Sequence, residues 1–124
     1  MPNSRPKHLN LILIKFPVMA IVSGMHRISG AVLFLFLPLF LWLWHQSVAS
    51  PEAFEAFRAA VGHPLMKLVL LGLLWGYLHH FCAGIRHLAL DLDLGTDLQP
   101  ARATSYAVLA VSIALTIAIG VALW

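Results

Sequence analysis

Three long apolar stretches dominate the chain, from about Pro17 to His45, from Pro64 to Leu90 and from Ala103 to Trp124. A helix needs about 20 apolar residues to cross a bilayer, and each stretch is long enough. The pattern predicts an all-α membrane protein with three transmembrane helices and short connections. Pro38 lies inside the first stretch. Proline lacks a backbone N–H and bends a membrane helix where neighbours re-satisfy the freed carbonyl. Between the first two stretches, Ser50-Pro51-Glu52 reads as an N-cap followed by proline at the first helical position. Phe54, Phe57, Ala60 and Val61 then recur at helical spacing. They predict a short amphipathic helix over about 51–61, lying on the membrane surface. Asp91 to Pro100 holds three aspartates, a glycine and a proline, and reads as a loop.

Composition narrows the picture. Of 124 residues, 60% are hydrophobic and 10% charged, and mean hydropathy is +0.86. Three spans leave no room for a soluble domain, so residues 1–124 read as one transmembrane anchor domain within a larger helical bundle. Nothing points to nucleic acid. Cys82 is the sole cysteine, which excludes an internal disulfide, and it reads as a small packing residue. The start of the chain imitates a signal peptide, with basic residues, an apolar run and Ser47-Val48-Ala49. The run is too long for one and carries Arg27, so the first span is expected to be retained. Arg5, Lys7 and Lys15 precede the first span, and Arg86 and Arg102 flank the second loop. The positive-inside rule then puts the N-terminus and the 91–100 loop in the cytoplasm, and the Gln46–Pro64 connection and Trp124 outside. Lys67 and Arg86, near the two ends of the second span, are expected to snorkel.

Ionisable residues are costly in hydrocarbon, and two clusters of them lie within the spans. In the second span, Gly72, Gly76, His80 and Gly84 follow one another at four-residue intervals, with His87 close to the same line. The plain reading is close helix packing around a hydrogen-bonded histidine. The sharper reading is haem, because a flat macrocycle needs an imidazole beside helix surface without bulk. His79 points about 100° away, which leaves the ligand open between the two neighbours. His87 lies about 10 Å nearer the cytoplasmic end, a depth suited to a haem propionate. One helix presents His80 to one face only. His45 is at the wrong end and His26 is close to the cytoplasmic surface, so a second axial ligand is expected from another polypeptide.

In the first span, Ser23 and Arg27 stand one turn apart, and His26 is one turn from both Ser23 and Gly30. Arg27 reads either as an interfacial arginine on a lipid phosphate or as part of a quinone site. In the second case Ser23 hydrogen-bonds a quinone carbonyl and Arg27 stabilises the negative charge that develops on reduction. Asp91, Asp93 and Asp97, with the basic N-terminus, form either a docking surface or a solvated loop. Ser112, Thr116 and Gly120 read as a helix-packing face.

Several elements together resemble one family. They are Arg5-Pro6, Phe16-Pro17, the run SGMHRISG from Ser23 to Gly30, Ser50 to Glu55, HxxxGIRH from His80 to His87 followed by Asp91, and the terminal Trp124. The chain resembles the cytochrome b anchor of succinate dehydrogenase, the larger of its two membrane anchors, of the bacterial type with a single b haem. The resemblance implies a subunit that is not catalytic alone, in the inner membrane, within the respiratory chain and the tricarboxylic acid cycle. A flavoprotein and an iron–sulfur subunit would carry electrons from succinate, and two anchors would share haem b and bind ubiquinone. It implies His80 as the axial ligand, with the second histidine on the partner anchor. Ser23 and Arg27 match quinone-binding positions, and His26, Arg27 and His87 match positions around the propionates, with Gly84 beside them. His79 stands where the family pattern has an aromatic or another residue, which leaves a switch of ligand open, and Gly24 and Met25 replace bulkier aliphatic residues. A menaquinol:fumarate reductase anchor is a close alternative. A haem-free tether is a third reading, disfavoured by the desolvation cost of a buried Arg27 and of His80.

Overall fold

The first apolar stretch folds as two helices. In the computed structural model, which describes residues 10–124, α1 spans Val18–Leu35 and α2 spans Leu37–Ala49, with Phe36 between them at φ −90° and ψ 1°. Pro38 is the cause. Within a continuous helix its ring would meet the carbonyl of Phe34, four residues earlier. Restarting at Leu37 places Pro38 in the first turn of α2, where an N–H has no intrahelical acceptor. Phe36 N–H still donates to Val32, and Phe40 N–H to Phe36, so the break costs little hydrogen bonding.

The connection that follows is the helix α3, Pro51–Gly62. The Ser50 hydroxyl caps it by accepting from Ala53 N–H at 3.1 Å. Phe54 and Phe57 stack with ring centroids 5.8 Å apart. The next helix, α4, spans Pro64–Asp91 and is capped by His63, whose Nδ1 accepts from Leu65 N–H at 3.2 Å. It ends in a turn with Asp93 at φ 57° and Gly95 at φ 75°, left-handed conformations that these two residue types tolerate. The last helix, α5, spans Leu98–Leu123. It starts before the apolar stretch does, so the loop is shorter than the 91–100 read from composition. Pro100 sits in the first turn of α5, where proline is compatible with a helix.

Among the described residues, three helices, α1, α4 and α5, are long and apolar enough to cross a membrane. They pack on one another around Val22, Ala83 and Val108, one residue from each, with Val18, Cys82 and Leu109 around them. Helix α2 leans on α3 instead of continuing along α4. Most large apolar side chains, such as Phe34, Leu35, Ile117 and Val121, face outward. Such a surface suits lipid or partner helices and would not be stable in water.

Arg86 departs from the snorkelling expected of it. It is buried, its Nε donates to Thr104 Oγ1 at 3.1 Å, and its Nη2 donates to the Ala101 carbonyl at 3.3 Å. The carbonyl and hydroxyl groups at the start of α5 replace water as its acceptors. Lys67 lies with Nζ 5.8 Å from the centroid of the Trp124 ring, a cation–π contact joining the far ends of α4 and α5. Arg5 and Lys7, on which the expected orientation partly rests, lie outside the described residues, as does Arg5-Pro6.

Candidate functional site

The contact between α1 and α4 has a polar cluster at its centre. The His80 ring lies on α1 against Gly30, where an added Cβ would stand 2.8 Å from Cε1. Any side chain there would force the imidazole to shift. The His26 ring stacks on His80 with centroids 4.1 Å apart and planes 9° apart. His87 tilts against His26 at 4.9 Å. Gly84 faces His26, with 3.6 Å from its would-be Cβ to Nε2. The sequence element around Ser23–Gly30 and the element His80–His87 thus meet in space.

The hydrogen bonds at His80 define its tautomer. Nδ1 lies 2.9 Å from the His26 backbone carbonyl and 3.3 Å from Ser29 Oγ. A carbonyl oxygen only accepts, so Nδ1 carries the hydrogen. The Ser29 hydroxyl donates to the same carbonyl at 2.9 Å, which leaves its lone pairs facing the Nδ1–H. Nε2 of His80 therefore holds the free lone pair, and it has no partner among the described residues. An imidazole whose Nδ1–H is tied to a carbonyl is oriented and made more basic at Nε2, the usual arrangement for a metal-binding histidine.

Further along the same flank, toward the α2 end, Leu33, Phe40, Leu73 and Tyr77 line an apolar cleft of about 420 Å³. Leu33 follows Gly30 by one turn and Tyr77 precedes His80 by one turn, so cleft and histidines share a flank. Ser23 is half-buried and Arg27 exposed. The burial of Arg27 expected from its depth is therefore not supplied by this chain. Arg27 has no hydrogen-bond or ion-pair partner among the described residues.

The opposite flank of the α1–α4 contact differs. Gly72 and Gly76 have nothing within 4 Å of a would-be Cβ, so no helix of this chain uses them for close approach. His79 is 1% exposed and packs on Trp75, with ring centroids 5.6 Å apart. Both residues, with Gly72, Gly76 and Ser29, line a separate cleft.

The sequence pattern gives no role to Ser29 and places Arg86 only as a snorkelling end residue. Ser29 stands one turn after His26, the i to i+3 spacing at which a hydroxyl reaches a carbonyl of its own helix. Its contact with a histidine 51 residues later has no signal in the spacing.

A family model described as the succinate dehydrogenase/fumarate reductase transmembrane subunit matches residues 1–119. The succinate dehydrogenase cytochrome b556 subunit of Coxiella burnetii is 41% identical over 97% of this chain and 97% of its own length. That of Paracoccus denitrificans is 33% identical, covering 92% of this chain and 88% of the relative. That of Rickettsia typhi is 27% identical over 92% and 89%. The match spans all three apolar helices and both halves of the histidine cluster, and the chain belongs to the succinate dehydrogenase/fumarate reductase transmembrane subunit family.

Proposed function

We propose that this chain binds haem b through Nε2 of His80 and the headgroup of ubiquinone through Ser23 and Arg27. In this reading it is the subunit through which electrons from succinate reach the membrane quinone. The observation that carries it is the Nδ1–H of His80 held on the His26 carbonyl, which leaves Nε2 as the free donor atom. The surroundings fit a haem. Gly30 and Gly84 keep bulk away from the rings, and an apolar cleft of about 420 Å³ continues the flank. His26, His87 and Arg27 supply hydrogen-bond donors and charge for propionates at the Asp91 end of α4. When bound, haem would supply a one-electron carrier whose potential follows the residues that hold the iron and their hydrogen bonds.

The site residues have definite tasks in this scheme. His80 would hold the haem iron through Nε2, and the His26 ring stacked on it fixes the plane of the imidazole. A second histidine for the iron would come from a second anchor subunit. Ser23 hydrogen-bonds a quinone carbonyl and orients the headgroup. Arg27, always charged, stabilises negative charge on the headgroup oxygen and is kept in a site that a partner must close, because this chain leaves it exposed. The partners are the flavoprotein, the iron–sulfur subunit and the second anchor. The N-terminus and the 92–97 turn face the cytoplasm, and Trp124 the periplasm.

A pyridine haemochrome spectrum of the complex, purified through this chain from its native membranes, tests the haem reading. One b-type haem per chain is expected, and none in the His80→Ala complex. A full haem content in that variant would overturn the assignment. Labelling of cysteines placed at Ala49 and Thr96 tests orientation. Ala49 is expected to react from outside, and reaction at Thr96 would reverse it.

A further inference from the structure

Two side chains of α4 are held by the same small device, one on each neighbouring helix. On α5, the Thr104 hydroxyl donates to the Ala101 carbonyl, three residues earlier, at 3.3 Å. Arg86 uses both oxygens as acceptors, with Nε on the hydroxyl at 3.1 Å and Nη2 on the carbonyl at 3.3 Å. On α1, the Ser29 hydroxyl donates to the His26 carbonyl, again three residues earlier, at 2.9 Å. Nδ1 of His80 faces both oxygens, the carbonyl at 2.9 Å and the hydroxyl at 3.3 Å. Six residues separate His80 from Arg86, which turns them about 120° from each other round α4. One therefore reaches α1 and the other α5.

A hydroxyl within a membrane helix ordinarily satisfies itself on a carbonyl of its own helix. Ser112 does only that. It donates to the Leu109 carbonyl at 3.1 Å, and its oxygen has no other partner among the described residues. Ser29 and Thr104 differ in what their lone pairs meet. Once the hydroxyl hydrogen is committed to the carbonyl, the oxygen can only accept. Carbonyl and hydroxyl then form two acceptors fixed side by side, aimed at one N–H-bearing group of α4. Arg86 brings two N–H groups and fills both. His80 brings one, so its Nδ1–H is shared between the two oxygens, with the carbonyl the closer.

We infer that Ser29 is a positioning residue for His80. Its oxygen, as the second acceptor, keeps the ring from swinging about its single bond to the carbonyl. It also draws further on the Nδ1–H, which makes Nε2 across the ring more basic. Ser29 is buried and acts through the imidazole alone. The inference rests on the reading of His80 as the haem ligand.

The low-spin EPR signal and midpoint potential of the haem, in the intact complex from native membranes, test it. Ser29→Ala removes the oxygen, and Ser29→Cys replaces it with sulfur, a weak acceptor, at similar size. Both complexes are expected to keep haem, with the EPR signal shifted and the midpoint potential raised, because a less basic Nε2 stabilises the oxidised iron less. Ser29→Thr brings the hydroxyl that Thr104 uses on α5 and is expected to stand close to wild type. Ser112→Ala removes a hydroxyl with no α4 partner and is expected to change neither reading. Unshifted readings in Ser29→Ala and Ser29→Cys would overturn the inference, as would an equal shift in Ser112→Ala. So would any order in which Ser29→Thr is not nearer wild type than Ser29→Ala and Ser29→Cys, with loss of haem counted as the largest departure. A role in packing alone would put the cysteine variant with wild type. Haem retained in His80→Ala would overturn the ligand reading beneath the inference. Haem lost there, with an unshifted Ser29→Ala, would overturn the inference alone.

Discussion

The two flanks of the α1–α4 contact are built from similar residues and behave differently. Each has a histidine of α4 with glycines close by. On one flank, His80 rests on Gly30, stacks on His26 and donates to a backbone carbonyl. On the other, His79 finds no hydrogen-bond partner among the described residues, and Gly72 and Gly76 meet open space. A histidine is made ready to bind a metal by the hydrogen bond on its far nitrogen, and adjacency in sequence does not confer that. One flank holds a side chain in a single tautomer and orientation. The other buries one whose ring nitrogens meet no partner in good hydrogen-bonding geometry among the described residues.

Removing each histidine in turn breaks the comparison most sharply. His80→Ala should remove the b-type spectrum of the purified complex, and His79→Phe should leave haem near one per chain. Next comes the charge on the first flank. Arg27→Ala should lower quinone reduction by roughly 10²–10³-fold, the usual loss on removing a group that stabilises developing negative charge. Succinate oxidation with a soluble dye acceptor should persist, and equal loss of both rates would mean that Arg27 acts through assembly.

The glycines sharpen the contrast further. Gly30→Ala forces a Cβ to within 2.8 Å of a ring that is already held by its neighbours, so the ring must tilt from its carbonyl. Haem affinity should fall about 10–100-fold, as it does when an outer-shell contact of a metal ligand is lost. Gly84→Ala adds only an ordinary 3.6 Å contact, and Gly76→Ala meets nothing within this chain. Haem titration of the three variants should rank them in that order, with Gly76→Ala near wild type. Equal losses in all three would mean that a partner helix crosses the open flank. The smallest effect on the site is expected from Arg86→Ala. It removes two charge-assisted hydrogen bonds to α5, about 1.5–3 kcal/mol each by general experience. The unfolding temperature of the complex should drop while the haem spectrum is unchanged.

Much of the architecture is legible in the sequence because it rests on local rules. Twenty or more apolar residues in a row describe a span wherever they occur, and Ser50-Pro51 describes a helix start. The break at Phe36 is legible in kind from Pro38, though its extent is not. A full interruption with α2 leaning on α3 depends on α3 being there to receive it. Arg86 differs from expectation because a basic residue near a helix end has two solutions, reaching for water or for a neighbouring helix. The choice is set by what lies opposite, here Thr104 and the Ala101 carbonyl. The topology puts the His26 and His80 clusters at the same end of the spans, but 54 residues separate the two and no spacing rule gives the contact between them.

The sequence by itself determined that the chain is helical and how many helices are long and apolar enough to cross a membrane. The length and composition of each apolar run settle those matters, because they are properties of the segment alone. Only the tertiary structure decided which face meets which. It set Gly30 beneath His80, gave the His26 carbonyl and not a side chain the task of holding Nδ1, and buried His79 against Trp75. Those outcomes depend on the approach of two helices from distant parts of the chain and on acceptors in the backbone, and a backbone carbonyl has no letter in the sequence.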